Sequence, residues 1–371
     1  MELEPDDRLN TSLSMPQPQT NVPPARQTTA ADGLAYPFTE VPPEGEIRAV
    51  AAGIYWVRMP LPLALDHINL WLIDDGPEGW SVIDAGFSTA RTKRLWERIF
   101  GANLADRPVT RVFCTHFHPD HIGLSGWLVD RWAAQFWIPR TEWLMAHHLL
   151  REDPEQTYGM LRAFYRQLDT PEDLENEIGE RNHGYQRVVK EVPDVFHRLF
   201  DGQDLSMAGR SWRVLTGRGH APEMAMFYDD TGPLLIAADQ VLPRISPNVS
   251  ILPYEPFADP LSDFLETLDG LKALPRETLV LPSHGKPFYG LHERICQLED
   301  HHAARLDEML EAGRDTITAF EATLAMFRRD LDGTQIFFAL GEALAHLNHL
   351  VAAGRMTRRV TADGIWRFKT V

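Results

Sequence analysis

Residues 115–123 read Thr115-His116-Phe117-His118-Pro119-Asp120-His121-Ile122-Gly123, and the rest of the chain takes its meaning from them. Three imidazoles and a carboxylate fall between positions 116 and 121, a density of metal-binding groups that neither packing nor solubility demands. The preceding run, 109–114, is apolar and β-branched. It predicts a strand that delivers His116 and His118 on extended backbone, where alternate residues point the same way. That pair can grip one ion. Asp120 and His121 instead open a helical pattern carried by Leu124, Leu128 and Trp132, so they leave the turn in another direction, toward a second, adjacent ion. Imidazole and carboxylate are ordinary zinc ligands, and two neighbouring metals can share one activated water.

Working outward, short strands are expected at 54–58, 67–73 and 80–84, with an Asp74-Asp75-Gly76-Pro77 turn between the last two. A helix over 89–100, a strand at 134–138 and a helix at 140–150 surround the histidine stretch. Further strands are expected at 212–216, 224–228, 234–238 and 278–281, with a helix over 260–274 before the last and another over 291–311 after it. Such alternation predicts a layered α/β domain. Residues 151 to about 200 differ in texture: they are charged and helix-rich, with Met160, Leu161, Phe164 and Leu168 at helical spacing. This segment reads equally as an inserted helical lid or as a structural or dimerisation element. As a lid it offers Tyr158, Tyr165, His183 and Tyr185 as pocket candidates. Arg244 and Asn248, on a long loop at 240–250, are further candidates for substrate contact, and Phe164, Tyr254 and Phe257 add apolar lining. In the tail, a helix is expected near 318–328. A second carries Ile336, Leu340, Leu344, Leu347 and Val351 on one face, and a hairpin follows at 356–368.

The spacing of His116, His118, Asp120 and His121, after a strand and before a helix, resembles the signature of the metallo-beta-lactamase-fold hydrolases. Downstream and upstream segments extend the likeness. Asp84-Ala85-Gly86 resembles the family's early Asp-x-Gly element, Gly219-His220-Ala221-Pro222 its histidine turn, Ala238-Asp239 its Gly-Asp position and Ser283-His284-Gly285 its last histidine. Glu223 stands where the family pattern has glycine. The resemblance covers about residues 49–290 and implies a four-layer αββα sandwich with metals at one edge. It implies His116, His118 and His220 around one ion, Asp120, His121 and His284 around the other, and Asp239 between them. Asp84 is then a group that orients a metal histidine. His67 and Asn69 read either as groups facing the site or as satisfied core residues. The tail is similar to winged-helix tails found on some members.

What this implies chemically is a dinuclear zinc hydrolase, in which a metal-bridging hydroxide attacks the carbonyl of an ester, thioester or lactone and Asp120 orients it and relays its proton. A beta-lactamase and an RNA-cleaving nuclease of the same superfamily are the alternatives. The expected cofactors are two Zn2+, and mixed histidine and carboxylate donors also suit iron or manganese. No Gly-x-Ser-x-Gly elbow occurs.

With 371 residues, 44% of them hydrophobic, the chain can bury one large domain and an appendage. The expected division is a flexible or surface-draped extension at 1–48, rich in proline, a catalytic domain at 49–312, and a small winged-helix-like domain at 313–371. The net charge of −17 falls as −5, −14 and +2 over these three parts. A catalytic region so acidic disfavours nucleic acid and other polyanions as partners, leaving small molecules, with a homodimer open through the insertion or the tail. Two distant cysteines make no disulfide framework, no apolar run approaches the ~20 residues of a membrane span, and the first residues are acidic, so a soluble cytoplasmic protein is expected.

Overall fold

The computed structural model describes residues 32–371 apart from 64, 105, 182, 183 and 328–332. Seven strands lie side by side in chain order: β1 (Ile47–Ala51), β2 (Ile54–Pro60), β3 (His67–Asp74), β4 (Trp80–Ile83), β5 (Val109–Phe113), β6 (Gln135–Pro139) and β7 (His197–Leu199). The first four pair antiparallel. From β4 onward the pairing is parallel, which requires crossovers. These are α1 (Ala90–Asn103), the pair α2 (Pro119–Ile122) and α3 (Ser125–Trp132), and the longer set α4 (Arg140–Arg151), α5 (Pro154–Gln167), α6 (Glu172–Arg181) and α7 (Gly184–Val188). A second sheet holds β8 (Asp204–Met207), β9 (Arg210–Gly217), β10 (Met224–Asp229), β11 (Leu234–Ala238) and β12 (Leu279–Pro282). Only β11 and β12 pair parallel, joined across α8 (Pro260–Leu271). The chain closes with α9 (Leu291–Ala312), β13 (Ile317–Thr318), α10 (Ala319–Met326), α11 (Gly333–Ala352), β14 (Met356–Val360) and β15 (Trp366–Thr370).

The period-two alternation of strands explains the layering. Trp56, Trp71, Ile73, Ile83 and Phe113 face the second sheet and meet its Trp212, Phe227, Leu234 and Leu279. Their neighbours Val57, Leu70, Leu72, Val82 and Val112 face the opposite way, onto Trp96, Ile99, Leu128 and Ala146 of α1, α3 and α4. The second sheet does the same: Met226, Leu235, Ala237 and Val280 turn outward to Phe264, Leu268, Ile295 and Leu298 of α8 and α9. Both faces of both sheets are therefore apolar, and three cores separate four layers, the αββα sandwich.

The tail is a small domain at the C-terminus, but it does not stand apart. Leu340, Leu344, Leu347, Met356, Trp366 and Phe368 belong to the same core as α8, α9, the Leu161 and Phe164 of α5 and the Leu168 that follows it. Thr318 starts α10 with a capping box closed by Glu321. Residues 32–48 also pack inward: Leu34 is fully buried, and Ala35 and Tyr289 exchange both backbone hydrogen bonds, at 3.1 and 2.8 Å. Among the described residues no helix is long and apolar enough to cross a membrane.

Candidate metal centre

The metal-binding groups gather where β4 and β5 of one sheet and β11 and β12 of the other run out. The expected strand does not continue to His118. It stops at Phe113, and residues 115–118 bend, because the Thr115 N–H leaves the ladder and donates to Asp84 Oδ1 at 2.8 Å. Asp84 makes this reach from a left-handed backbone conformation, φ 64°, unusual for a residue with a side chain. His118 regains extended backbone, and Pro119 then opens the single turn α2, which carries Asp120 and His121.

Four of the five rings are held by the nitrogen that faces away from the centre. His121 Nδ1 lies 2.8 Å from Asp84 Oδ2, His220 Nδ1 2.8 Å from the Asn248 carbonyl and His284 Nδ1 2.8 Å from the His67 carbonyl. A carbonyl only accepts, so in His220 and His284 the proton sits on Nδ1 and the Nε2 lone pair is left to point inward. His116 Nδ1 meets the Thr115 hydroxyl at 3.0 Å, which itself donates to Asp84. His118 alone turns its Nδ1 inward, 2.9 Å from His116 Nε2.

The second sheet delivers its donors through tight turns. Gly219, with φ 92°, passes so close to α8 that a Cβ there would lie 2.5 Å from the Pro260 carbonyl oxygen, and this approach sets His220 in place. Ala238 takes φ 46° at the end of β11 and swings Asp239 toward the histidines. His284 sits on a turn clamped from β3: His67 Nε2 accepts the Gly285 N–H at 2.8 Å, and the Asn69 amide donates to the Pro282 and Gly285 carbonyls at 2.8 and 2.9 Å. Asn69 also accepts from Trp56 Nε1 at 2.8 Å. These two residues thus support the histidine turn with their side chains satisfied.

Two groups result: His116, His118, His220 and Asp239, and Asp120, His121 and His284, with ligand atoms within 4.8 Å of one another in each. Asp239 reaches both. Its Oδ2 lies 3.2 Å from His121 Nε2, 3.3 Å from His220 Nε2 and 3.8 Å from His116 Nε2, while its Oδ1 lies 3.4 Å from His284 Nε2. Asp120 Oδ2 lies 3.4 Å from His284 Nε2 and 3.7 Å from His121 Nε2. Burial pushes the Asp120 carboxyl up, but His121 and His284 bring it down to about 2. Burial likewise depresses His118, to about 3. The donor set fits divalent metal by an independent sign: His121 Nε2, His220 Nε2 and Asp239 Oδ1 are buried and have no hydrogen-bond partner. Such orphaned atoms cost about 1–3 kcal/mol each in a protein that gives them nothing to bind.

The residue between the two leading histidines is gripped at both ends. Phe117 N–H donates to Glu142 Oε2 at 3.1 Å, and its carbonyl accepts the Tyr185 hydroxyl at 2.7 Å. Glu142 Oε1 also takes the Glu223 N–H at 2.6 Å, so one carboxyl ties the first histidine loop to the His220 turn. Glu223, out of place in the family pattern, caps the start of α4 by accepting the Thr141 N–H at 3.0 Å. Glu142 was missed in the sequence, though a signal was there: it is the one charged residue on the buried stripe of α4, with Ala146 and His147.

The substrate candidates are dispersed. Tyr185 holds Phe117, and Asn248 meets His220 through its carbonyl while its side chain accepts from Ser250. Arg244 is exposed over the Tyr36 ring. Tyr165 and Phe164 are buried in a core shared with the tail, where Phe164 meets the Trp366 ring of β15. Tyr158 is half-buried on α5, and His183 lies outside the described residues. Cys114 is a buried small hydrophobe whose thiol burial raises far above its usual range.

Burial pushes the Glu142 carboxyl up to about 8 from 4.5, its two backbone donors pulling the other way. A carboxyl raised in the folded state keeps a proton that the unfolded chain has lost, so its stabilising contribution is complete below about pH 4.5 and disappears as pH climbs through about 8. Glu142→Gln cannot titrate, and its amide leaves one backbone donor unmatched, at a cost of about 1–3 kcal/mol. Urea denaturation of chelator-treated protein between about pH 5 and 8 is expected to show the parent losing stability relative to the variant. Parallel pH curves would contradict this.

The model of the family described as Metallo-beta-lactamase superfamily matches residues 63–284, and that described as Metallo-beta-lactamase-like, C-terminal domain matches 306–371. The structure of a beta-lactamase domain protein from Burkholderia ambifaria is 40% identical, covers 91% of this chain and 98% of its own, and superposes with a TM-score of 0.85. A metallo-beta-lactamase family protein from Thermus thermophilus is 30% identical over 87% of this chain and 100% of its own, with a TM-score of 0.74. A linear primary-alkylsulfatase from a Pseudomonas species is 24% identical over 251 residues. That match covers 66% of this chain and only 44% of the alkylsulfatase.

Proposed function

This chain belongs to the metallo-beta-lactamase superfamily and is a metal-dependent hydrolase, and we propose that it opens a carboxylic ester, thioester or lactone at a pair of zinc ions. The observation that carries the reading is Asp239, a single buried carboxylate whose oxygens lie within 3.4 Å of histidine nitrogens from both donor groups. In this reading His116, His118 and His220 would hold one ion and Asp120, His121 and His284 the other, with Asp239 a donor available to both; iron and manganese also suit these donors. Zinc ions there supply, when bound, an acidified water and positive charge for the oxygen of the carbonyl under attack. As a donor to the second ion Asp120 would be ionised. It accepts a hydrogen bond from the water, orients it, and carries its proton on to the departing oxygen or sulfur. Asp84, Asn248 and His67 do no chemistry but keep the rings turned, so that donor lone pairs need not reorganise.

An alkoxide or thiolate leaves with less protonation than an amide nitrogen, and Asp120 is the one acid at hand, which favours esters, thioesters and lactones over beta-lactams. The charge of −14 over residues 49–312 weighs against RNA. A sulfate monoester is the second reading, supported by the relationship to the alkylsulfatase. The test is metal analysis of the purified protein joined to a hydrolysis screen over thioesters, lactones, carboxylic esters, alkyl sulfates, beta-lactams and RNA. Two metals per chain and fastest turnover in the first three classes are expected. Faster turnover of RNA or beta-lactams than of every ester and thioester would overturn the ordering, and no more than one ion after reconstitution with excess metal would overturn the dinuclear site.

A further inference from the structure

We propose that helix α11 of the C-terminal domain is the backing that holds loop 243–259, and through that loop the ring of His220, with Asn348 as the positioning residue. The loop leaves the end of β11 just past Asp239 and contains no helix or strand, so its backbone groups need partners from elsewhere. Three of these groups, the Ile251 N–H and the Pro256 and Ala258 carbonyls, find their partners on α11. Ile251 N–H donates to the Gly341 carbonyl at 3.1 Å, and the Ser250 hydroxyl reaches the Phe338 carbonyl at 3.4 Å. The Asn348 amide donates to two loop carbonyls, Pro256 at 3.1 Å and Ala258 at 2.9 Å, while its oxygen accepts from Arg358, whose guanidinium lies 4.4 Å from the Phe257 ring. His349 meets Asp259 at 3.2 Å.

A buried pair of imidazoles fixes the loop's near end. His346 Nδ1 faces the Glu342 carbonyl at 2.8 Å and must donate, so its Nε2 accepts from His302 Nδ1 at 3.1 Å. His302 Nε2 then faces the Ser246 hydroxyl, 3.5 Å away, and beside it the Ile245 carbonyl accepts from Arg294 of α9 at 2.9 Å. Both rings are fully buried, and Asn348 is nearly so, on a helix face otherwise made of Leu340, Ala343, Leu344 and Leu347. Polar groups in such a place are costly unless matched, and their matches are the loop and α9. Between the anchors at 246 and 250–251 hangs Asn248, whose carbonyl takes the His220 proton. The helix and loop also touch closely: a Cβ on Gly341 would lie 3.0 Å from Ser250 Cβ.

Two variants of the full chain test this from opposite ends of the contact. Asn348→Leu keeps the forked shape of the side chain, at a larger volume, and leaves the Pro256 and Ala258 carbonyls unmatched; Gly341→Ala pushes Ser250 with a single methyl and is the milder change. Hydrogen–deuterium exchange is expected to speed up about tenfold over 246–258 in both, with the amides of β10 and β11 unchanged as the sign that the fold is intact. Titration of chelator-treated protein with cobalt(II) is expected to show the tighter of two events weakened about tenfold at the His220 position and the His284 position unaffected. Unchanged loop exchange in both variants would overturn the proposal, and so would a loosened loop with unaltered cobalt binding. The cobalt measurement rests on the metal reading above and the exchange measurement does not. A parent protein that takes up no cobalt would count against that reading, while the loop's exchange would still decide whether α11 holds it.

Discussion

Asp239→Ala is expected to strip both metal positions together and to lower hydrolysis by roughly a thousandfold or more, the scale on which loss of preorganised charge stabilisation is felt. Among the described residues, this carboxylate lies within 3.8 Å of histidine Nε2 atoms from both donor sets. Its removal leaves five inward-facing imidazoles and the single carboxylate of Asp120 to hold two divalent charges. His284→Ala makes the contrast, because it takes a donor from the second group alone and is expected to release mainly that ion. Elemental analysis of both variants after identical reconstitution reads the difference directly. Retention of two ions by Asp239→Ala would remove Asp239 from its bridging place.

Deleting residues 313–371 is expected to leave a chain that does not fold, in place of a catalytic domain shorn of an accessory. Leu340, Leu344, Leu347, Met356, Trp366 and Phe368 are all buried in the core that also contains Phe264, Leu268, Leu298 and Met309. Burial of each such side chain is worth about 1.5–3 kcal/mol, and a domain's whole margin is about 5–15 kcal/mol. The deletion also bares the apolar faces of α8 and α9. Loss of a cooperative thermal transition, or recovery only in the insoluble fraction, is the expected observation. A soluble truncated chain that melts sharply would show that the shared core contributes far less than its burial implies.

The layered α/β architecture was readable because strand alternation is a local property: Trp56, Trp71 and Phe113 can be assigned to one face and Val57, Leu72 and Val112 to the other from their spacing alone. The short edge strands β1, β7 and β8 were not, since three to five residues carry too little pattern to stand out from a loop. The histidine stretch announced a centre through density of donors, and the structure places its distant companions His220, Asp239 and His284 beside it. The supports of that centre were far less legible. Glu142, Asn248 and His67 act through a carboxyl on a helix stripe or through backbone carbonyls, and a carbonyl has no sequence signature. Tyr165 was hard to place for a related reason: an aromatic residue at helical spacing looks the same whether its face meets a substrate or joins a core. The tail looked separate because its 59 residues follow a long helix, and only the packing reveals that this helix is shared core.

The donors come from turns at the ends of both sheets, the first at His116 and the last at His284. During synthesis the early four leave the ribosome more than a hundred residues before the last, and the two sheets must meet before all seven converge. Metal capture is therefore a late event in the life of the nascent chain. Binding by the complete set then adds its free energy to the finished sandwich.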